Sequence, residues 1–249
     1  VVNVHAFYVE VKKHGTHDQK THAGGRGGSS SATWSKENNF TLNYDENMKI
    51  KNAYEDRYSP TTRYSEGEEN EEYNAVDFYV ADGYEEMNAY SRGKLEVDSI
   101  TGEIIEKSNS QVDSAIANSP DIVGDKNLYR VYSNRVIDDL QPGDTIVDKG
   151  FLSTTRVDLT GTSLSSRNTR AGLGSIRDSA DTVAVIIPSP TKTGKGLIVD
   201  AFLPANGNND MGMVWQKEFE VILPRNTALT FLGFQEGEME RVAVFQRND

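Results

Sequence analysis

From Leu128 onward the chain is a succession of short apolar runs: LYRVYS, DTIVDKGFLSTT, TVAVIIPSP, GKGLIVDAF, EFEVILP, ALTFLGFQ and RVAVFQ. Each is rich in β-branched and aromatic residues, and Gly, Pro, Asn and Asp separate them. None is long enough for a buried helix, so this half is expected to be strands. The half before it has a different period. In EGEENEEYNAVDFYVADG, Tyr73, Val76, Phe78, Tyr79 and Val80 recur at roughly helical spacing, and the early acids complement the positive end of a helix. Asp82-Gly83 is expected to stop that helix. A second is expected over YEEMNAYSRG, with Tyr84, Met87 and Tyr90 on one side and Gly93 as its end. A third is expected over SNSQVDSAIANSP, closed by Pro120. Helices first and strands after define an α+β chain, a strand-rich core flanked by N-terminal helices.

Ahead of these lie VVNVHAFYVEV, which alternates enough for a short strand, and KKHGTHDQKTHAGGRGGSSS, a polar Gly/Ser-rich segment expected to be a flexible linker. Two regions follow from this: strand plus linker over residues 1–33, and one domain over 34–249. Between Trp34 and Arg63 a short helix or irregular packing is expected. The chain opens on Val1, as a fragment or a processed chain would. No apolar run reaches membrane-spanning length.

Residue types exclude several chemistries. There is no Cys, which removes disulfides, thiolate metal sites and thiol nucleophiles. All four His, at 5, 14, 17 and 22, precede the main domain, so that domain holds no Ser-His-Asp triad. Three His on a polar tether with no fixed surroundings make a poor metal site, and no metal is expected. A net charge of −12 disfavours nucleic acid as a partner. What remains is carboxylates, hydroxyls, Lys and Arg.

Three short motifs stand out among these. Arg130 lies inside LYRVYS; an Arg in a buried strand keeps its charge and needs an anion, whether a phosphate, a carboxylate or an internal salt bridge. In GFLSTT, Ser153 and Thr155 share one face of a strand, and Leu152 and Thr154 share the other. In WQKEFEVILPR, Glu218 and Glu220 are expected on one face at the head of an apolar strand. Two like charges side by side are tolerated at a solvated edge or in a working site.

An Arg strand, an aromatic-x-Ser-Thr-Thr strand and Glu-x-Glu before an apolar strand, in that order, resemble the mono-ADP-ribosyltransferase toxins. The likeness is to the branch of actin-modifying binary toxins and small exoenzymes. GYEEMNAYSRG adds to it, with Tyr84, Met87, Asn88 and Arg92 matching that branch's helix. The resemblance spans about residues 65–245. It implies two packed antiparallel β-sheets forming an NAD cleft, and transfer of ADP-ribose from NAD through an oxocarbenium-like transition state. It also implies a role for each matching residue. Glu220 is the catalytic glutamate, Ser153 holds it, and Glu218 handles the incoming nucleophile, an arginine of a host protein. Arg130 and Arg92 contact the NAD phosphates; Tyr84, Asn88, Thr154 and Arg167 complete the NAD-binding set; Trp215 belongs to target recognition. An NAD glycohydrolase and an inactive scaffold of the same fold are the alternatives.

Two departures are visible. Thr155 stands where the family's motif ends in Ser, and no aromatic lies between Phe151 and Phe202 to stack on nicotinamide. That loop offers Arg156, Arg167, Arg170 and Arg177 instead. Separately, HGTHDQKTHAGGRGG resembles a tail segment of phage head-morphogenesis proteins. It points to a virion-borne toxin domain, with a secreted bacterial toxin as the alternative setting.

Overall fold

The structure, a computed structural model, describes residues 10–13, 34–58, 68–160, 181–203, 219–236 and 241–248. After an edge strand, β1 (Glu10–Lys12), come a 3-10 turn (Lys36–Asn38) and the helix α1 (Tyr44–Arg57). A reciprocal cap starts α1. The Asn43 side chain accepts from the Glu46 amide at 2.9 Å, and the Glu46 carboxylate accepts from the Asn43 amide at 3.0 Å.

The next helix departs from expectation. α2 (Glu68–Phe78) does not stop at Asp82-Gly83; it runs through a π-helical turn (Tyr79–Gly83) directly into α3 (Tyr84–Ser91). Gly83 has an ordinary helical φ of −75°. What it supplies is room: a Cβ there would lie 2.4 Å from the Phe78 ring. A larger residue would have to push the exposed Phe78 ring aside, and a glycine that leaves room for a ring looks the same in sequence as a stop. Gly93, at φ +66°, does end α3, with the Lys94 amide donating back to Ala89 at 2.8 Å.

α4 (Ser99–Ala117) begins nine residues before the expected Ser108, capped by Asp98, whose carboxylate accepts from the Thr101 amide at 2.9 Å. Its early turns expose Ile100 and Ile104 and bury Gly102 against Tyr90, which hides the helical stripe.

The remaining strands are β2 (Leu128–Ser133), β3 (Thr145–Asp148), β4 (Leu152–Thr155), β5 (Asp181–Ile187), β6 (Leu197–Ile198), β7 (Glu220–Leu223), β8 (Thr227–Glu236) and β9 (Arg241–Arg247). Two short helices interrupt them, α5 (Asn134–Ile137) and α6 (Val199–Phe202). The expected strand across DTIVDKGFLSTT is two, β3 and β4, separated by a turn in which the Gly150 amide donates to Asp148 Oδ1 at 2.9 Å. The α+β class is as expected. The described strands form one ladder, β1-β3-β8-β9-β5-β2-β4-β7-β6, antiparallel except for β5 with β9. It has two arms. They meet where β2 and β4 share a single register pair, Tyr129 with Thr155.

Strand alternation builds two cores. Leu128 and Tyr132 of β2 face a large cluster with Val76, Tyr79, Met87, Val112, Phe151 and Phe245. Tyr129 and Val131 face a smaller one with Val183, Val185 and Val242, against which Trp34 and Val157 pack. The helices therefore cover one face of the junction between the arms, and Trp34 lies against the other.

Candidate active site

At the junction, β2, β4 and β7 lie side by side. Arg130, in the middle of β2, is buried; its Nη1 donates to the Ser153 carbonyl and its guanidinium sits 5.3 Å from the Tyr132 ring. Register pairs Thr155 with Glu220 and Ser153 with Ile222. Ser153 and Glu220 thus project from the same face of adjacent strands, one step apart. Both are buried.

A third group joins them. The buried Tyr79 hydroxyl lies 3.4 Å from Ser153 Oγ and accepts from Asn88 Nδ2 at 3.0 Å. Burial first, and then the negative charge of Glu220, push the Tyr79 hydroxyl up to about 12. It stays protonated, a donor beside Ser153 and within the field of the carboxylate. Tyr79 was legible in the sequence only as a core position of a helix. The available signal is that a buried Tyr needs a partner for its hydroxyl; the π turn decides which partner it meets.

A frame of polar contacts fixes the wall opposite. Arg92 donates through Nε and Nη2 to both oxygens of Asp148, at 2.8 Å each. Asn88 Oδ1 accepts from the Phe151 amide at 2.7 Å. Gly150 lies so close that a Cβ would meet Asn88 Oδ1 at 2.5 Å. Arg92, Asn88, Tyr79, Arg130, Ser153 and Glu220 are therefore brought together. Two expected NAD-binding hydroxyls are engaged elsewhere. Tyr84 donates to Glu85 at 3.2 Å, and Thr154, on the other face of β4 from Ser153, donates to the Val221 carbonyl at 2.7 Å. Glu218, Trp215 and Arg167 lie outside the described residues, as do the four His and residues 14–33.

The same-face relation expected for Glu218 and Glu220 needs an extended residue between them. Phe219 is not extended: it has φ +47°, and β7 begins only at Glu220. A bulky side chain in this region costs about 1–3 kcal/mol and persists where surrounding contacts over-determine it.

The chemistry of this donor set suits a dinucleotide cleaved at a glycosidic bond. A buried guanidinium matches phosphate, and a fixed carboxylate matches positive charge that develops on a sugar. The architecture is that of ADP-ribosylating toxins. Among solved structures, the Clostridium limosum C3 exoenzyme matches with a TM-score of 0.52 at 14% identity, covering 84% of this chain and 96% of that one. C3stau2 from S. aureus, solved with NAD, matches with a TM-score of 0.53 at 17% identity, covering 85% and 98%. C2-I, the enzymatic component of the C2 toxin from Clostridium botulinum, matches with a TM-score of 0.54 at 14% identity, covering 83% of this chain and 48% of that one. No curated protein sequence matches. The family model of the ADP-ribosyltransferase exoenzymes matches residues 46–244. The chain belongs to that family, and NAD-dependent ADP-ribosyl transfer is the activity that goes with membership. The residues carrying the phage-protein resemblance lie outside the matched range and, His14 to Gly28, outside the described residues.

Proposed function

We propose that this protein transfers ADP-ribose from NAD to an arginine side chain of a protein acceptor, with Glu220 as the catalytic carboxylate. One observation carries the reading. Glu220 is a buried acid at a strand start, on the same face as Ser153, close enough to Tyr79 to raise the affinity of its hydroxyl for its proton. In that position a carboxylate stabilises positive charge developing on the ribose as the bond to nicotinamide breaks, more in the transition state than in the ground state. Ser153 and Tyr79 orient it. Arg130 provides the fixed cation for the phosphates, and Arg92, held by Asp148, keeps Nη1 outside that bidentate pair. Asn88 sets the wall by holding Tyr79 and the Phe151 amide.

The acceptor follows from the second glutamate. A carboxylate at 218 pairs with a guanidinium and helps remove its proton, whereas water as acceptor needs neither Glu218 nor Trp215. The test uses labelled NAD with a bacterial lysate and, separately, a small guanidino compound, beside Glu220→Gln. Label on protein or on the guanidino compound, absent in the variant, is the expected result. Glu218→Gln is expected to lose that transfer and keep slow nicotinamide release. Intact guanidino transfer in Glu218→Gln would remove the arginine assignment. Nicotinamide release with no labelled acceptor would make the protein an NAD glycohydrolase.

A further inference from the structure

We propose that Arg156 is a positioning residue: with Asp200 behind it, it clamps Phe219 in its left-handed conformation and so sets where Glu220 enters the site. The inference rests on Glu220 being the catalytic carboxylate.

Phe219 is the residue immediately before β7. Its φ of +47° is one that neither Gly nor Asn accounts for here, so the surroundings must impose it. Core packing does not. Phe219 is 36% exposed and borders an open cleft of about 330 Å³ lined also by Phe40, Leu42, Asn47, Arg156 and Val157. Among the described residues, the contacts that hold it come from the end of β4. The Arg156 amide donates to the Phe219 carbonyl at 3.1 Å, and the Thr155 hydroxyl reaches the same oxygen at 3.4 Å. The Arg156 guanidinium lies 5.2 Å from the Phe219 ring and 5.7 Å from the Phe40 ring. The guanidinium is fixed in turn by Asp200 of α6, through Nη2.

The chain of support therefore runs Asp200 to Arg156 to Phe219, and the next residue is Glu220. One side chain grips Phe219 through its ring, and the same residue's backbone grips it through its carbonyl. If the Arg156 side chain is removed, the ring gains an open cleft to move into, and the left-handed turn keeps only its carbonyl contacts to Thr155 and to the residue 156 amide. Glu220 is then displaced relative to Ser153 without any change in the residues proposed to hold NAD. Displacement of a reacting group by about 1 Å can lower a rate about 100-fold, so the effect is read in kcat.

The experiment places 4-fluorophenylalanine at position 219 and compares the wild type with Arg156→Gln by fluorine NMR and by nicotinamide release. The proposal predicts a shifted or broadened fluorine resonance, kcat lowered about 10- to 100-fold, and NAD affinity within about twofold. If Arg156→Gln fails to fold because the half-buried Asp200 is left without its partner, Arg156→Gln/Asp200→Asn removes that charge and carries the same prediction. An unchanged resonance, or unchanged kcat, overturns the clamp. A parallel loss of kcat, NAD affinity and thermal stability overturns it too, because that is what a purely structural ion pair would give. The wild type and Glu220→Gln are run alongside. If nicotinamide release is absent from the wild type, or does not depend on Glu220, the proposed function fails and takes the catalytic sense of the clamp with it. The fluorine signal still decides whether Arg156 holds Phe219.

Discussion

Two glutamates of this protein are equally buried, each 2% exposed, and stand in different settings, one between helices and one at the head of a strand. Glu72, on α2, is saturated by side chains. Arg57 donates to it through Nε at 3.1 Å and Nη2 at 2.8 Å, Ser114 donates at 2.6 Å, and the Tyr58 hydroxyl donates to Oε2. Burial pushes its carboxyl up, but the bonds from Arg57, Ser114 and Tyr58 outweigh it and leave it below its ordinary value. Glu220 stands at the head of a strand. Its register against Thr155 and the left-handed turn at Phe219 fix where it starts, and its charge acts on Tyr79. Glu72 ties α1, α2 and α4 together, while Glu220 lies beside Ser153 at the strand junction, where the proposed function puts the reacting site. Burial of a carboxylate alone therefore says nothing of its role; what supports it does.

The comparison breaks first at Glu220. Glu220→Gln keeps size and hydrogen-bonding capacity and removes the charge. Nicotinamide release is expected to fall about 100- to 1000-fold, the scale of losing one electrostatic contact to a transition state. The melting temperature is expected to move less than in any Glu72 variant. A large stability loss with a small rate loss would exchange the roles assigned to the two residues.

Glu72→Ala should do the reverse. Removing one partner of a buried ion pair costs about 3–5 kcal/mol. Arg57 is partly solvated, its side chain 32% exposed, so the expectation is the low end, about 3 kcal/mol by urea unfolding. In the fraction that remains folded, kcat should be unchanged.

This contrast is also the boundary of what could be read from the sequence. Arg130, Ser153 and Glu220 stood out in the sequence through three short motifs in a fixed order, and the structure places them on the neighbouring strands β2, β4 and β7; β2 was readable to its ends because LYRVYS is a compact run of strand-forming residues. Glu72 was not legible. It sits in the acid run EGEENEE, where nothing distinguishes the buried acid from its neighbours, and its partners Arg57 and Ser114 come from other helices. The conformation of Phe219 left no trace either, because left-handed backbone is signalled by Gly or Asn and tertiary contacts impose it here. Gly83 did leave a trace, and it misled: a glycine inside a continuous helix, beside the Phe78 ring, looks the same as a helix stop.

Gly150 tests the frame between the helices and the strand site. A Cβ at 150 would meet Asn88 Oδ1 at 2.5 Å and Arg92 Cζ at 3.2 Å. Asn88 cannot yield freely, since it bonds both Tyr79 and the Phe151 amide. Gly150→Ala is expected to destabilise by about 2 kcal/mol, within the range for overpacking, and to lower nicotinamide release because Tyr79 moves away from Ser153. Stability lost with activity retained would detach the Asn88 frame from the site.

The smallest effect is a pH dependence that belongs to Glu72. Its folded-state affinity for a proton is lowered from the ordinary value of 4.5. Above that value the carboxylate is ionised in both states, and its partners contribute their full stabilisation. As the pH falls through 4.5 the unfolded chain takes up the proton first, so the contribution declines and is lost once the folded carboxylate is protonated too. Glu72→Gln has no such group. The stability gap between the wild type and Glu72→Gln, measured by urea unfolding, should therefore be constant at neutral pH and narrow steadily below about pH 4.5. A gap that stays constant to the acid end would mean the four donors hold the residue by shape and hydrogen bonding alone. The saturated glutamate would then owe its place to its geometry and not to its charge.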